Sequence, residues 1–363
     1  MKISEISRYL ESLAPKALQE SYDNSGLLVG NPQAEVKKVL VALDMTEAVV
    51  QEAEEKGCEL IIAHHPIIFG GLKSLTGKNY VERTVMAAIK KDVALYAIHT
   101  NLDNVQQGVN AKIAEKLGVQ SPKILQPKSG LLKKLVVFVP EHAFEEVQQA
   151  LFEAGAGNIG NYSECSFQSV GEGSFKGNEE SNPSEGEAGK RTYISEARLE
   201  VLVAAHRLGS ILKAMHEAHP YEEVAHDIYP IENEHQEIGS GMYGYLDEPM
   251  YIMDFLKHVK DTFGGVVRYT APVFDKVEKV AWCGGSGSFL VNQAKGIGAQ
   301  VFISSDFKYH QFFDAENELI IADIGHYENE QYTKELIAGK LKEKFPTFAV
   351  LLADTNTNPI NYL

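Results

Sequence analysis

Three short segments concentrate the residue types that bind divalent cations. His64 and His65 lie in AHHPIIF (63–69), His99 and Asp103 in HTNLD (99–103), and His326 and Glu330 in GHYENE (325–330). Neutral imidazoles and carboxylates are the nitrogen and oxygen ligands that Zn²⁺, Mn²⁺ or Fe²⁺ accept. The set His64, His65, Asp103, His326 and Glu330 supplies three imidazoles and two carboxylates, donors suited to a pair of such ions. A lone histidine at a strand end is usually a hydrogen-bonded core or loop residue, and an isolated aspartate is usually a cap. Two adjacent histidines followed by two further clusters favour the metal reading. His99 fits either as part of that set or as a support for its neighbours.

Each cluster directly follows an apolar run: LIIA, ALYAI and ELIIADI. Such runs read as parallel strands covered on both faces, and open α/β sheets bind ligands in the crevice beyond the carboxyl ends of their strands. Neighbouring side chains on a strand point to opposite faces, so His64 and His65 share a site only where the chain leaves the sheet. Pro66 makes that exit. A helix predicted over YENEQYTKELIAGKLKEKF (327–345) would carry His326 and Glu330, four positions apart, on one side of its first turn. Gly284, Gly285 and Gly287 in CGGSG form an incomplete dinucleotide fingerprint and read as a tight turn.

The surrounding pattern places these segments in one body. From Val39 to about Lys123, apolar runs alternate with helical stretches in a βαβ rhythm, with Gly57 and Gly118 as helix C-caps. The order then changes to β-α-β-β-α-β, the ferredoxin-like plan. Within it, GEGSFKGNEESNPSEGEAGK (171–190) reads as a mobile loop, because its Gly, Ser and Glu cannot bury enough apolar surface to offset ordering. His219, Glu222 and Glu223 in HPYEE read as the start of a strand with exposed acids. The first pattern then resumes. The expected fold is a layered α/β body formed from both ends of the chain, 1–126 and 235–363, with an inserted ferredoxin-like α+β domain at 127–234.

Bulk properties narrow the function. A formal net charge of −16 disfavours nucleic acid and anionic membrane surfaces. No apolar run approaches the roughly 18 residues of a membrane span. The start MKISEISRYLESLAP sets Ile3, Ile6, Leu10 and Leu13 on one helical face and lacks the apolar core of a signal peptide, so a cytoplasmic location is expected. Cys58, Cys165 and Cys283 form no C-x-x-C pair, which argues against a disulfide framework or a cysteine zinc site.

The segments YDNSGLLVG (22–30), AHHPIIF, HTNLD, CGGSGS (283–288), SSDFKYHQ (304–311) and GHYENE together resemble the Ngg-interacting-factor-three-like family, the GTP cyclohydrolase 1 type 2 homologues, in its long bacterial form. The middle segment is similar to small trimer-forming ferredoxin-like proteins of the signalling and copper-tolerance type. The resemblance implies a dinuclear metal site ligated by His64, His65, Asp103, His326 and Glu330, with Glu330 bridging. Asp23, Asn24, His99, Asp306 and His310 are then expected to line it. Many members carry TGE where this chain has Ser304, Ser305 and Asp306, so Asp306 and His310 enter only as lining residues.

The resemblance further implies a homohexamer and a small-molecule ligand of nucleotide type. The expected activity is metal-dependent hydrolysis through a water bridging two cations; in a GTP cyclohydrolase this opens the imidazole ring of guanine and releases formate. The alternative is a non-catalytic protein that binds metal or a metabolite and reports through the insert.

Overall fold

Apolar runs too short for helices fold as the parallel neighbours Lys38–Ala42, Leu60–Ala63 and Ala94–Ala97, with Val41 opposite Ile62 and Ile62 opposite Tyr96. The computed structural model describes residues 1–363. Gly26–Val29 pairs antiparallel on one side of this sheet, and Ala349–Leu352 from the far end of the chain closes the other side in parallel with Lys38–Ala42. A second sheet runs in the order Arg268–Tyr269, Ile320–Asp323, Val301–Ser305, Lys276–Ser286, His235–Tyr251, Gln120–Lys128. Each sheet thus takes strands from both halves of the sequence.

Both sheets are covered on both faces at their centres, which is why Leu60–Ala63, Ala94–Ala97 and Val301–Ser305 are buried along their whole length. One core joins Val39, Val41, Leu60 and Ile62 of the first sheet to Val280, Trp282, Val301 and Ile303 of the second, through the helices Ile3–Leu13, Val109–Leu117, Ile252–Phe263 and Thr333–Lys344. The opposite face of the first sheet packs Leu40, Ile61 and Leu95 on the helices Glu47–Lys56 and Tyr80–Lys90. Gly57 and Gly118 end their helices at φ 65° and 72°, a left-handed conformation that glycine adopts without a Cβ penalty.

Residues Met1–Gln126 and Glu237–Leu363 form one compact unit, and Pro127–Gln236 form another. The latter has the antiparallel strand order Ser166–Lys176, Arg191–Ala204, Leu132–Pro140, His226–Pro230. Its own core sets Leu135, Val137, Leu199 and Val201 against Val147, Leu151, Ile211 and Met215 of the helices Phe144–Glu153 and Leu208–Ala218.

Three local expectations change. The segment 171–176, read as part of a mobile loop, is paired with Arg191–Glu196, so the connection is confined to 177–190. Ladder bonding satisfies backbone groups whatever the side-chain composition, and composition alone therefore misses it. The single helix expected over 327–345 is divided into His326–Glu330 and Thr333–Lys344. At the break the Gln331 side-chain amide donates to the Glu328 carbonyl at 3.1 Å, which an uninterrupted helix would pair with the Tyr332 amide. Where a tight turn was expected at CGGSG, residues 283–286 instead end the strand Lys276–Ser286, and Gly287 follows it as the cap of the short helical turn Ser288–Leu290.

Candidate metal centre

The chain leaves the strand Leu60–Ala63 at His64 and His65, leaves Ala94–Ala97 toward His99 and Asp103, and leaves Ile320–Asp323 toward His326 and Glu330. These ends converge. His65 Nε2, His326 Nε2 and Glu330 Oε2 form one group, with separations of 2.8 Å (His65 to Glu330), 3.0 Å (His326 to Glu330) and 3.3 Å (His65 to His326). The other carboxylate oxygen, Oε1, lies 3.7 Å from His64 Nε2, which is 3.6 Å from Asp103 Oδ1. A third group joins His64, His65 and His99. All five residues that the sequence put forward as ligands are therefore gathered, and Glu330 belongs to two groups.

Partners behind the cluster fix the rings. His64 Nδ1 donates to the Ile98 carbonyl at 2.9 Å, His65 Nδ1 to Asp44 Oδ1 at 2.7 Å, and His326 Nδ1 to Asp306 Oδ2 at 2.7 Å. With its proton held on Nδ1, each neutral ring keeps the Nε2 lone pair facing the cluster. His99 is held in the same way, Nδ1 to Asp23 Oδ1 at 2.7 Å. Asp23 also accepts from the Asn24 and Thr100 amides and the Thr100 hydroxyl.

Glu330 sits on the short helix His326–Glu330, beneath the end of the glycine-rich strand. Gly285 has φ +61°, and a Cβ there would lie 2.6 Å from Glu330 Oε1. Glycine is thus required by both conformation and space. The Ser304 and Ser305 hydroxyls donate to the Gly285 carbonyl at 2.9 and 2.6 Å, fixing this close approach.

Burial and like charge set the protonation of the metal-free cluster. Burial, then the charge of Glu330, pushes Asp103 up to about 8. Burial also opposes ionisation of Glu330, yet the charges of His326 and His64 hold its carboxyl well below the usual range. For His65, burial favours the neutral ring, but its bonds to Asp44 and Glu330 raise it to about 9. The charge of Glu330 outweighs burial at His326, and with Asp306 raises that ring to about 11. Burial and the charges of Asp103 and Glu330 push the Cys283 thiol up, which suppresses the thiolate needed for nucleophilic attack.

A cavity of about 790 Å³ opens onto the cluster. The C-terminal residues Thr357, Asn358, Pro359 and Ile360 form part of its wall. They are tied down where the Thr357 hydroxyl donates to Asp44 and the Asn358 amide to Glu328.

Among the expected lining residues, His99 faces the cavity while Asp23 and Asp306 stand behind His99 and His326. Asn24 instead donates to the Ile68 carbonyl at 2.7 Å and so positions the loop after His65. His310 is exposed and packs on Tyr309 and Phe313, apart from the cluster. Sequence reasoning missed Asp44. Its signal was position, since it follows the strand Lys38–Ala42 at the same carboxyl edge as His64 and His99.

The chain matches the Duf34/NIF3 (NGG1p interacting factor 3) family over residues 1–359. It is 39% identical over 364 residues to a Halalkalibacterium halodurans protein named GTP cyclohydrolase 1 type 2 homolog, covering 99% of this chain and 98% of the relative. A Bacillus subtilis protein of the same name is 39% identical over 366 residues, with the same coverage of 99% and 98%. Among solved structures, a Bacillus cereus protein related to NIF3 is 39% identical, with a TM-score of 0.86 over 100% of this chain and 99% of that one. No helix of the chain is long and apolar enough to cross a membrane.

Proposed function

This chain belongs to the Duf34/NIF3 family, and on that footing we propose that it binds two divalent cations and is a metal-dependent hydrolase of a nucleotide-like small molecule. His65, His326 and Glu330 Oε2 hold one ion in this reading, His64, Asp103 and Glu330 Oε1 the other, and Zn²⁺, Mn²⁺ and Fe²⁺ all suit the donor set. The observation that carries it is a pair of buried orphans: His64 Nε2 and Asp103 Oδ1 have no hydrogen-bond partner, although their residues face the same point. Leaving a buried polar atom unpaired costs about 1–3 kcal/mol, and coordination removes that cost. The spacing also fits, because donors about 2.0–2.1 Å from a tetrahedral ion stand about 3.3 Å apart.

Bound cations supply Lewis-acid polarisation of the bond under attack and a water of lowered pKa. The residues of the chain do the rest. Asp44 and Asp306 keep the His65 and His326 protons on Nδ1, so the facing nitrogens stay free to coordinate. His64 is fully buried and closes the floor of the site to solvent. Asp23 fixes the His99 ring 5.2 and 5.4 Å from the rings of His64 and His65, beside the space a substrate would fill.

A turnover assay of metal-loaded protein on nucleosides, nucleotides and phosphoesters, with metal content measured in parallel, tests this reading. Product formation above that of a His65→Ala control is expected. Metal binding without any such product would favour the non-catalytic alternative. Within the same proposal Pro127–Gln236 is an inserted ferredoxin-like domain and the assembly a homohexamer, which light scattering of the purified protein checks.

A further inference from the structure

The segment that follows the strand Ala349–Leu352 crosses the cluster, and polar bonds rather than apolar burial hold it there. Its root is fixed, because the Asp354 and Thr355 amides donate to the two carboxylate oxygens of Glu52 at 2.7 and 2.9 Å. Beyond that point Asn356 and residues 359–363 are exposed, and Thr357 and Asn358 turn partly inward. Their side chains bond to opposite sides of the site. The Thr357 hydroxyl donates to Asp44 Oδ2, while Asp44 Oδ1 accepts from His65 Nδ1 at 2.7 Å. The Asn358 amide donates at 3.0 Å to Glu328, within the helix His326–Glu330 that carries the other two members of the His65 group. The same residues, with Pro359 and Ile360, wall the cavity.

We infer that residues 356–363 form a releasable strap in which Thr357 and Asn358 are positioning residues: fastened, it aims His65 and holds the His326–Glu330 helix in ligating register, and released, it frees one wall of the cavity. The inference rests on the metal-binding reading above. With one Asp44 oxygen pinned by Thr357, the other is directed at His65 Nδ1, and an outer partner of this kind orients a metal-binding imidazole. Without the hydroxyl, the Asp44 carboxylate is free to turn toward solvent. Strap and metal group are then coupled, and the coupling is reciprocal: the factor by which strap closure raises cation affinity is the factor by which a cation favours closure. A segment with few apolar contacts opens locally at small cost, so this equilibrium is available to the coupling.

Two variants of the full chain test this: Thr357→Val keeps the side-chain shape without the hydroxyl, and Thr357→Ser keeps a hydroxyl. In metal-free protein, nitrogen-15 spectra of the histidines should show a protected His65 Nδ1 proton in the wild type and Thr357→Ser, and its loss in Thr357→Val. Chelator competition should show one Zn²⁺ held about tenfold more weakly in Thr357→Val, an ordinary size for coupled sites, with the second ion unchanged and Thr357→Ser close to the wild type. Asn358→Ala, acting through the helix that carries the shared Glu330, should weaken both ions. Hydrogen exchange of residues 356–363 should slow on Zn²⁺ loading in the wild type and not in Thr357→Val. Unchanged Zn²⁺ affinity in Thr357→Val, no recovery in Thr357→Ser, or strap exchange indifferent to Zn²⁺ in a protein that binds it would overturn the inference. A wild type that takes up no Zn²⁺, while the His65 proton still follows residue 357, counts against the metal reading and leaves the positioning role of Thr357 standing.

Discussion

Glu330 Oε2 lies 2.8 Å from His65 Nε2, on the side of the carboxylate opposite to the oxygen that faces His64. This links the strand end of the N-terminal half to a helix that begins more than two hundred residues later. The carboxylate can face both groups because Gly285 leaves room above it.

Gly285→Ala should therefore disturb the site more than its small size suggests. A Cβ at φ +61° costs about 1–2 kcal/mol in conformation, and it would also displace Glu330 Oε1, 2.6 Å away. The expected result is a lower melting temperature and weaker metal binding. Ser286→Ala, at the exposed next position, should change neither.

Asp44→Asn and Asp306→Asn remove the acceptors that hold the His65 and His326 rings. Loss of such partners typically weakens metal binding about 10–100-fold. Competition with a chromophoric chelator should show that drop in each variant, with circular dichroism unchanged.

The metal-free protein should lose stability as pH rises, and the metal-loaded protein should not. His65 and His326 are raised to about 9 and about 11, so their stabilising contribution is complete below the unfolded histidine value of about 6.5 and is lost through those values. Asp103, raised to about 8, acts in the same direction, because its ionisation is resisted in the fold as pH climbs toward that value. Melting temperatures without metal should fall between pH 7 and pH 10. Because coordination needs deprotonated ligands, metal binding at pH 7 should release protons, visible as buffer-dependent calorimetric heats.

Replacing Pro127–Gln236 by a short linker should leave a folded body that still loads metal. The two cut ends lie on neighbouring strands, with Gly239 against the Gln126 carbonyl. In the intact chain, the first proteolytic cuts should fall within 177–190, between the paired strands. A soluble deletion product that cannot bind metal would contradict the domain assignment.

The reach of the sequence can be judged residue by residue. His64, His65, Asp103, His326 and Glu330 were legible because each follows an apolar run at a strand end, a local signal. The pairing of His65 with Asp44 was not, since one aspartate after a strand resembles any cap. The tie from Asp44 to Thr357 spans 313 positions and leaves no periodic trace. The break after Glu330 was hidden because Gln331 and Tyr332 keep right-handed helical angles and no proline or glycine marks the change. The glycines of CGGSG were visible, but their purpose depended on a carboxylate from another element.

Metal content of Glu330→Gln tests the central claim most directly. The substitution preserves side-chain size and helix propensity and removes the charge that offsets repulsion between two cations. With circular dichroism confirming the fold, the wild type should hold two ions per chain and the variant about one or none, while His65→Ala should weaken one ion selectively. Two tightly held ions per chain in Glu330→Gln would contradict the assignment of Glu330 as the bridge.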